Sequence, residues 1–295
     1  LIAGPLRKHP IRVLLFVPNA PLQTAADGTA TLAADPTAKL FAWVLRRLAP
    51  AMERGAVVVG AETLPMARAL HAVTGVPVRY LPHPVRFAPA TNRNHLTGGS
   101  PRPVCVGAYG APRHEKGSDL ILAAVERYLR EHPAAAVHFC LQWTGDFVTP
   151  DGRTVSPSAY LRTHPQVTLI ETYFPEGGYL KQIGQTDLML LPYREAYRLR
   201  VSRVVIEAMF AAIPVVATRQ TTLWEQVETY GSGLPCEATE GSLYEALGDA
   251  LENLGPLREG AEDRATAARE HFSVKTFREA FLVDGEGTSH ASTIG

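Results

Sequence analysis

The chain has 295 residues, 46% of them hydrophobic, and its 29 Lys plus Arg balance 29 Asp plus Glu. That size suits one large or two ordinary domains with full cores, and the absence of a basic excess argues against a general nucleic-acid surface. Cys105, Cys140 and Cys236 are odd in number, far apart and without a Cys-x-x-Cys pair, so they indicate neither a disulfide framework nor a zinc knuckle; buried, reduced cysteines fit the cytoplasm.

In chain order, "IRVLLFV" (11–17) predicts a buried strand. Residues 20–35, rich in Ala, Asp, Gly and Thr, predict a loop, and Asp35-Pro36 is a cap and first-turn signal. Leu40, Val44, Leu45 and Leu48 follow at helical spacing. Then come a short strand at 56–60, a helix at 63–75 stopped by Gly75, and a strand at 76–82. Residues 83–102, with three prolines and "TGGS", are the best linker candidate.

Beyond the linker the rhythm repeats. "PVCVGAYG" (103–110) is a strand ending in glycines, and Ser118-Asp119 opens a helix with Leu120, Ile121, Ala124, Val125, Tyr128 and Leu129 on one face. Apolar strands are expected at 136–142, 167–171, 188–192 and 214–218, and helices near 240–254, 257–272 and 274–282. Nearly continuous apolar strands alternating with helices mean a parallel sheet covered on both faces. The expected architecture is α/β with two Rossmann-like domains. The first, 1–85, is expected to be a partial domain with an exposed sheet edge; a linker (86–102), a second domain (103–282) and a tail (283–295) follow. The chain begins at Leu1 and not at Met, and sequence ahead of Leu1 is expected. No apolar run approaches the roughly 20 residues that cross a bilayer, and no signal peptide is visible.

In doubly wound sheets, ligands bind beyond the carboxyl ends of the strands. Two loops there carry chemistry. In "GAYGAPRHEKGSD" (107–119), Gly107, Gly110 and Gly117 would let backbone approach a ligand, Arg113 and Lys116 supply charge, and a helix start adds its dipole. The set suits a diphosphate, although it is neither a Walker loop nor Gly-x-Gly-x-x-Gly, and composition alone favours a solvated turn with ordinary surface charges. In "PYREAYRLRVSRVVIEAM" (192–209), Arg194, Arg198, Arg200 and Arg203 crowd a strand-to-helix connection capped by Ser202. Glu207, about one and a half turns inside that helix, either accepts from two vicinal hydroxyls, as on a ribose, or pairs with Arg203 on an exposed face.

Taken together, "VGAYGAPRHEKGSDLILAAVERYL", "TDLMLLPYREAYRLRVSRVVIEAMFAAIPVVAT" and "LWEQV" resemble the donor domain of retaining glycosyltransferases of family 4, which have the GT-B fold. The likeness covers roughly 103–282, and 11–82 resembles the end of that family's acceptor domain more weakly. The resemblance implies that Arg113 and Lys116 hold the nucleotide diphosphate and stabilise the leaving group, and that Glu207 binds the ribose hydroxyls. It brings Gly110, Tyr197, Ser202 and Arg203 to the substrate. Tyr173 and Phe174 fall where the base is framed, or else are core aromatics. The family's first glutamate falls on Leu199; Glu195 is out of register, and the arrangement Pro192-Tyr193, then Tyr197, then Ser202 resembles a subgroup in which a Tyr…Arg…Ser stretch replaces that glutamate. Ala212 stands where Gly is usual. His71 and His83 are unmarked, and His83 is expected to be structural.

The implied activity is transfer of a hexose-like sugar from a nucleotide-diphosphate sugar to a sugar, lipid or protein acceptor, with retention and no metal or cofactor, in bacterial-type polysaccharide or glycoconjugate synthesis. Contact with a membrane surface is left open, and no nucleic-acid partner is implied. The alternatives are a non-catalytic nucleotide-binding or scaffold module, marked by the missing carboxylate at position 199, and a GT-B sugar-nucleotide epimerase, for which no convincing set of carboxylates and histidine is found.

Overall fold

The computed structural model describes residues 13–25, 28–86, 102–175 and 177–282. Residues 87–101 of the expected linker and the expected tail, 283–295, lie outside the described residues, as do residues 11–12 of the first expected strand. The elements are β1 (Val13–Val17), β2 (Leu22–Thr24), β3 (Ala30–Leu32), α1 (Pro36–Glu53), β4 (Val57–Ala61), α2 (Leu64–Thr74) and β5 (Arg79–Tyr80). There follow β6 (Val104–Ala108), α3 (Ser118–Glu131), β7 (Val137–Gln142), β8 (Phe147–Val148), β9 (Thr154–Val155), α4 (Ala159–Thr163), β10 (Val167–Ile170) and α5 (Gly178–Gln185). The chain continues through β11 (Leu188–Leu191), α6 (Arg203–Phe210), β12 (Val215–Thr218), α7 (Thr222–Tyr230), β13 (Gly233–Cys236), α8 (Glu240–Glu252), α9 (Leu254–His271) and α10 (Val274–Leu282).

The described residues fall into two units: those within Leu1–Pro84, Leu199–Val201 and His271–Gly295, and those within Val85–Arg198 and Ser202–Glu270. Helix α10 therefore groups with the first unit, where the Arg79 guanidinium donates to the Phe281 carbonyl at 3.0 Å and the Phe277 ring meets Phe16 edge-on.

The first unit carries a parallel sheet of order β1-β4-β5, in which β1 and β5 are edges among the described residues. Its helices start as the sequence predicts. Asp35 caps α1 by accepting from the Ala38 amide at 2.8 Å, with Pro36 in the first turn, and Gly75 ends α2 at a positive φ that suits glycine. Two expectations are corrected. The segment expected as a loop contains the antiparallel pair β2-β3. On α1 the buried stripe is Ala38, Ala42, Leu45 and Met52, while Leu40 and Val44 face outward beside Trp43, whose ring lies under the Arg47 guanidinium. Small alanines bring α1 close to the sheet, which turns the larger leucine and valine away. His71 donates from Nδ1 to the Val76 carbonyl, and His83 pairs with Glu62 at 2.6 Å, as a structural histidine would.

The second unit is a six-stranded sheet, β10-β7-β6-β11-β12-β13, parallel throughout. Its core is built on fully buried Leu129, Phe139, Leu188 and Leu190, each contributing about 2 kcal/mol by burial. Cys105 and Cys140 are both buried, and their sulfurs lie 3.6 Å apart as free thiols. The sixth strand, β13, and the β8-β9 hairpin were not expected. From β6 the chain order runs outward through β7 to β10, and from β11 it runs the other way through β12 to β13. The reversal point of the sheet is therefore the gap between neighbouring β6 and β11, where such folds leave a crevice for ligands.

No helix among the described residues is long and apolar enough to cross a membrane.

Candidate functional site: a basic cradle at the reversal point of the sheet

Strands β6 and β11 pair directly, with Val106 opposite Leu188. Their following loops thus leave side by side, and both belong to the second unit up to Arg198. The chain's own packing locks them together. The Arg194 amide donates to the Glu115 carbonyl at 2.9 Å. The Arg194 guanidinium makes a two-pronged bond to Asp119, each contact 2.8 Å, and also reaches the His114 carbonyl. Burial alone would raise the Asp119 pKa, but the Arg194 guanidinium outweighs it and holds the carboxyl below its usual value. Gly117, with φ +64°, has room for no Cβ because the Pro192 carbonyl lies against it. Arg194, expected among the anion-binding arginines, is a strut between the loops.

The other expected glycines divide in the same way. An added Cβ on Gly107 would come within 2.6 Å of the Tyr109 ring, so that space is already filled. At Gly110, with φ +96°, the same atom would lie 2.6 Å from Lys116 Nζ, so the ammonium rests against bare backbone. The Gly110 amide donates to Gln142 Oε1 at 2.7 Å.

Lys116 is partly buried, and its ammonium makes no hydrogen bond or ion pair among the described residues; it lies 5.9 Å from the centre of the Tyr193 ring. Burial, and then the neighbouring Arg113 charge, lower its pKa to about 8. Arg113 is exposed, with Glu115 3.4 Å away, a solvated pair worth little. Its backbone amide donates to the Ser118 hydroxyl at 3.0 Å. Tyr193 is buried, and burial raises its pKa; Tyr197 stacks against it edge-on at 4.5 Å. The Ser202 hydroxyl approaches the Tyr193 phenol, which completes no hydrogen bond. Ser202 does stand at the N-cap of α6, but it makes no capping bond there. His114 Nδ1 is likewise buried without a partner. Such orphans are uncommon in folded proteins. Lys116, Gly110, Ser118, Gln142, Trp143 and Tyr193 line one cavity.

Glu207 is 2% exposed. It does pair with Arg203, Nε to Oε1 at 2.7 Å, but not on an exposed face, and Tyr179 donates to its other oxygen at 2.7 Å. Tyr173 is 75% exposed, which excludes the core-aromatic reading, whereas Phe174 packs against Tyr109 and Tyr179. Leu199 groups with the first unit, where its carbonyl accepts from Thr63. The structure thus brings Arg113, Lys116, Gly110, Tyr197 and Ser202 around Tyr193. Sequence reasoning singled out Pro192-Tyr193 only as part of a pattern, and it missed Gln142, His114 and Tyr179. Among the described residues, no three His, Cys, Asp or Glu side chains are placed to hold a metal ion.

This cradle, set at the reversal point of a parallel sheet, defines a group of proteins with which the chain can be compared. Residues 100–254, just over half of the chain, match the family Glycosyl transferases group 1; the chain belongs to that family. Among curated proteins no sequence match is found. Solved structures share the fold. Sucrose-phosphate synthase from Thermosynechococcus elongatus superposes with a TM-score of 0.57 at 18% identity, over 83% of this chain and 61% of that one. A glycosyltransferase from Rickettsia africae gives 0.56 at 14%, over 77% and 64%. HepE of Anabaena, in complex with UDP-glucose, gives 0.59 at 15%, over 92% and 71%. The α/β architecture is thus that of GT-B glycosyltransferases, and identities this low establish the fold alone. The chain spans 61–64% of the length of the first two of these structures.

Proposed function

We propose that the second unit binds the nucleoside diphosphate of a nucleotide-sugar, and that the protein transfers the sugar to an acceptor with retention of configuration, as family 4 enzymes do. The observation that carries this reading is the Lys116 ammonium, partly buried against Gly110 and ion-paired with no carboxylate among the described residues. A cation in that state is stabilised by a charged ligand, and Arg113 stands ready to share it. As the bond between sugar and phosphate breaks, negative charge grows on the departing diphosphate. Lys116, Arg113 and the amides at the start of α6 meet that charge without rearrangement. Glu207 accepts from the ribose hydroxyls, Tyr173 and Phe174 frame the base, and Tyr197, Ser202 and Arg203 line the donor. The neighbour HepE is in complex with UDP-glucose, which supports a nucleotide-sugar donor.

Replacing both Arg113 and Lys116 by Ala is expected to weaken UDP binding by about 2–4 kcal/mol, measured by calorimetry. Unchanged affinity would remove the diphosphate from this site. A second reading, binding without transfer, draws on the absence of a carboxylate at Leu199, which groups with the first unit. UDP binding with no release of UDP from UDP-sugars in the presence of acceptors would favour it.

A further inference from the structure

We propose that Tyr179 is a positioning residue for Glu207, holding the carboxylate in the orientation from which it accepts hydrogen bonds from a nucleotide's ribose hydroxyls. This rests on the ribose reading of Glu207 given above. A carboxylate at the end of a side chain swings freely unless both oxygens are held. Arg203 holds Oε1 at 2.7 Å, but the Arg203 side chain is 63% exposed, so water competes for it. Tyr179 supplies the sheltered contact, 2.7 Å to Oε2.

The ring of Tyr179 is itself fixed. Tyr109 meets it edge-on at 6.2 Å and Phe174 packs at 5.5 Å. Tyr109 is tied in turn to Thr186 and Gln182 by its hydroxyl. Tyr109 directly precedes Gly110, so one train of aromatic rings joins the Lys116 cradle to Glu207. Burial, and then the Glu207 charge, raise the Tyr179 pKa; the phenol keeps its proton and always acts as donor. A phenylalanine would serve the ring packing equally well, and among the described residues only the Glu207 carboxylate uses the hydroxyl.

The test is calorimetry of Tyr179→Phe with UDP and with 2′,3′-dideoxy-UDP. The variant is expected to bind UDP about fivefold to tenfold more weakly and the dideoxy analogue within about twofold of wild type. In a Glu207→Gln background the same change is expected to add nothing, because both act on one carboxylate. Equal losses for both nucleotides, or no loss for UDP, would overturn the assignment. The two readings separate cleanly. If Glu207→Gln discriminates between the nucleotides and Tyr179→Phe does not, the positioning role alone falls. If wild type binds both nucleotides equally or neither, the ribose reading falls first and takes this one with it.

Discussion

Lys116 and Arg194 stand on adjacent loops at the same end of the same sheet, and a reader of the sequence would assign both to anion binding. The structure treats them differently. Arg194 finds Asp119 in a two-pronged bond and two backbone groups besides. Among the described residues, the Lys116 ammonium finds no such partner, only the Tyr193 ring and the Gly110 backbone. A charge whose partners are all within the chain stabilises the fold and has little left for a ligand. A charge tucked against backbone without a counter-ion leaves an electrostatic demand that something else must meet. The difference lies in what each side chain meets, not in its type.

The comparison can be broken most severely at the strut. Arg194→Ala leaves Asp119 partly buried and unpaired, and is expected to lower stability by about 3 kcal/mol, read from urea unfolding. Asp119 also fixes the sign of an acid effect. Its pKa is lowered in the fold, so its contribution is full above the ordinary value of 3.8 and is lost as pH falls below it. Arg194→Ala should remove that part of the acid sensitivity.

At Lys116 the sign reverses. Its pKa falls from 10.5 to about 8, so the fold resists the charged form at neutral pH. Lys116→Met is expected to raise the stability of the ligand-free protein at pH 7 by about 1–3 kcal/mol while weakening UDP binding by about 1–2 kcal/mol. The wild-type penalty should be full below about pH 8 and fade as pH climbs toward 10.5. A variant less stable than wild type would show that the lysine is satisfied in a way its geometry does not reveal.

The smallest effect sharpens the comparison through pH. A bound diphosphate holds the proton on Lys116, so binding above pH 8 requires proton uptake. UDP affinity is expected to fall about 25-fold between pH 7.5 and 9.5, and Lys116→Met should show no such slope in whatever weak binding remains. A flat wild-type profile would place the diphosphate away from Lys116.

Most of the second unit's sheet was legible because its strands are short, almost unbroken apolar runs, which only a sheet covered on both faces requires. Strand β13, "GLPC", escaped because Gly and Pro interrupt it. Its edge position tolerates Pro235, and Gly233 is needed because any side chain there would strike the Val215 carbonyl. The unusual Ala212, standing where the family resemblance expects glycine, adopts a positive φ of 51° and packs its methyl with Ala261 and Ala265. In the candidate site, Arg113 and Lys116 could be grouped from the sequence because they lie three positions apart on one loop. Tyr179 and Glu207 lie 28 residues apart, and Arg194 and Asp119 lie 75 apart. No periodicity links such pairs; only the pairing of β6 with β11 brings the latter together.

The strut has a consequence in time as well as in energy. With Arg194 bonded across to Asp119 and Pro192 lying against Gly117, the two loops hold their relative placement before any nucleotide arrives. On the proposed reading, capture needs no loop to fold around the diphosphate, so association should run at about 10⁶–10⁷ M⁻¹ s⁻¹ and be similar for one nucleotide and another. Preference among nucleotides would then be expressed in residence, in how long each stays once seated, and stopped-flow traces should show a single phase whose rate rises linearly with nucleotide concentration.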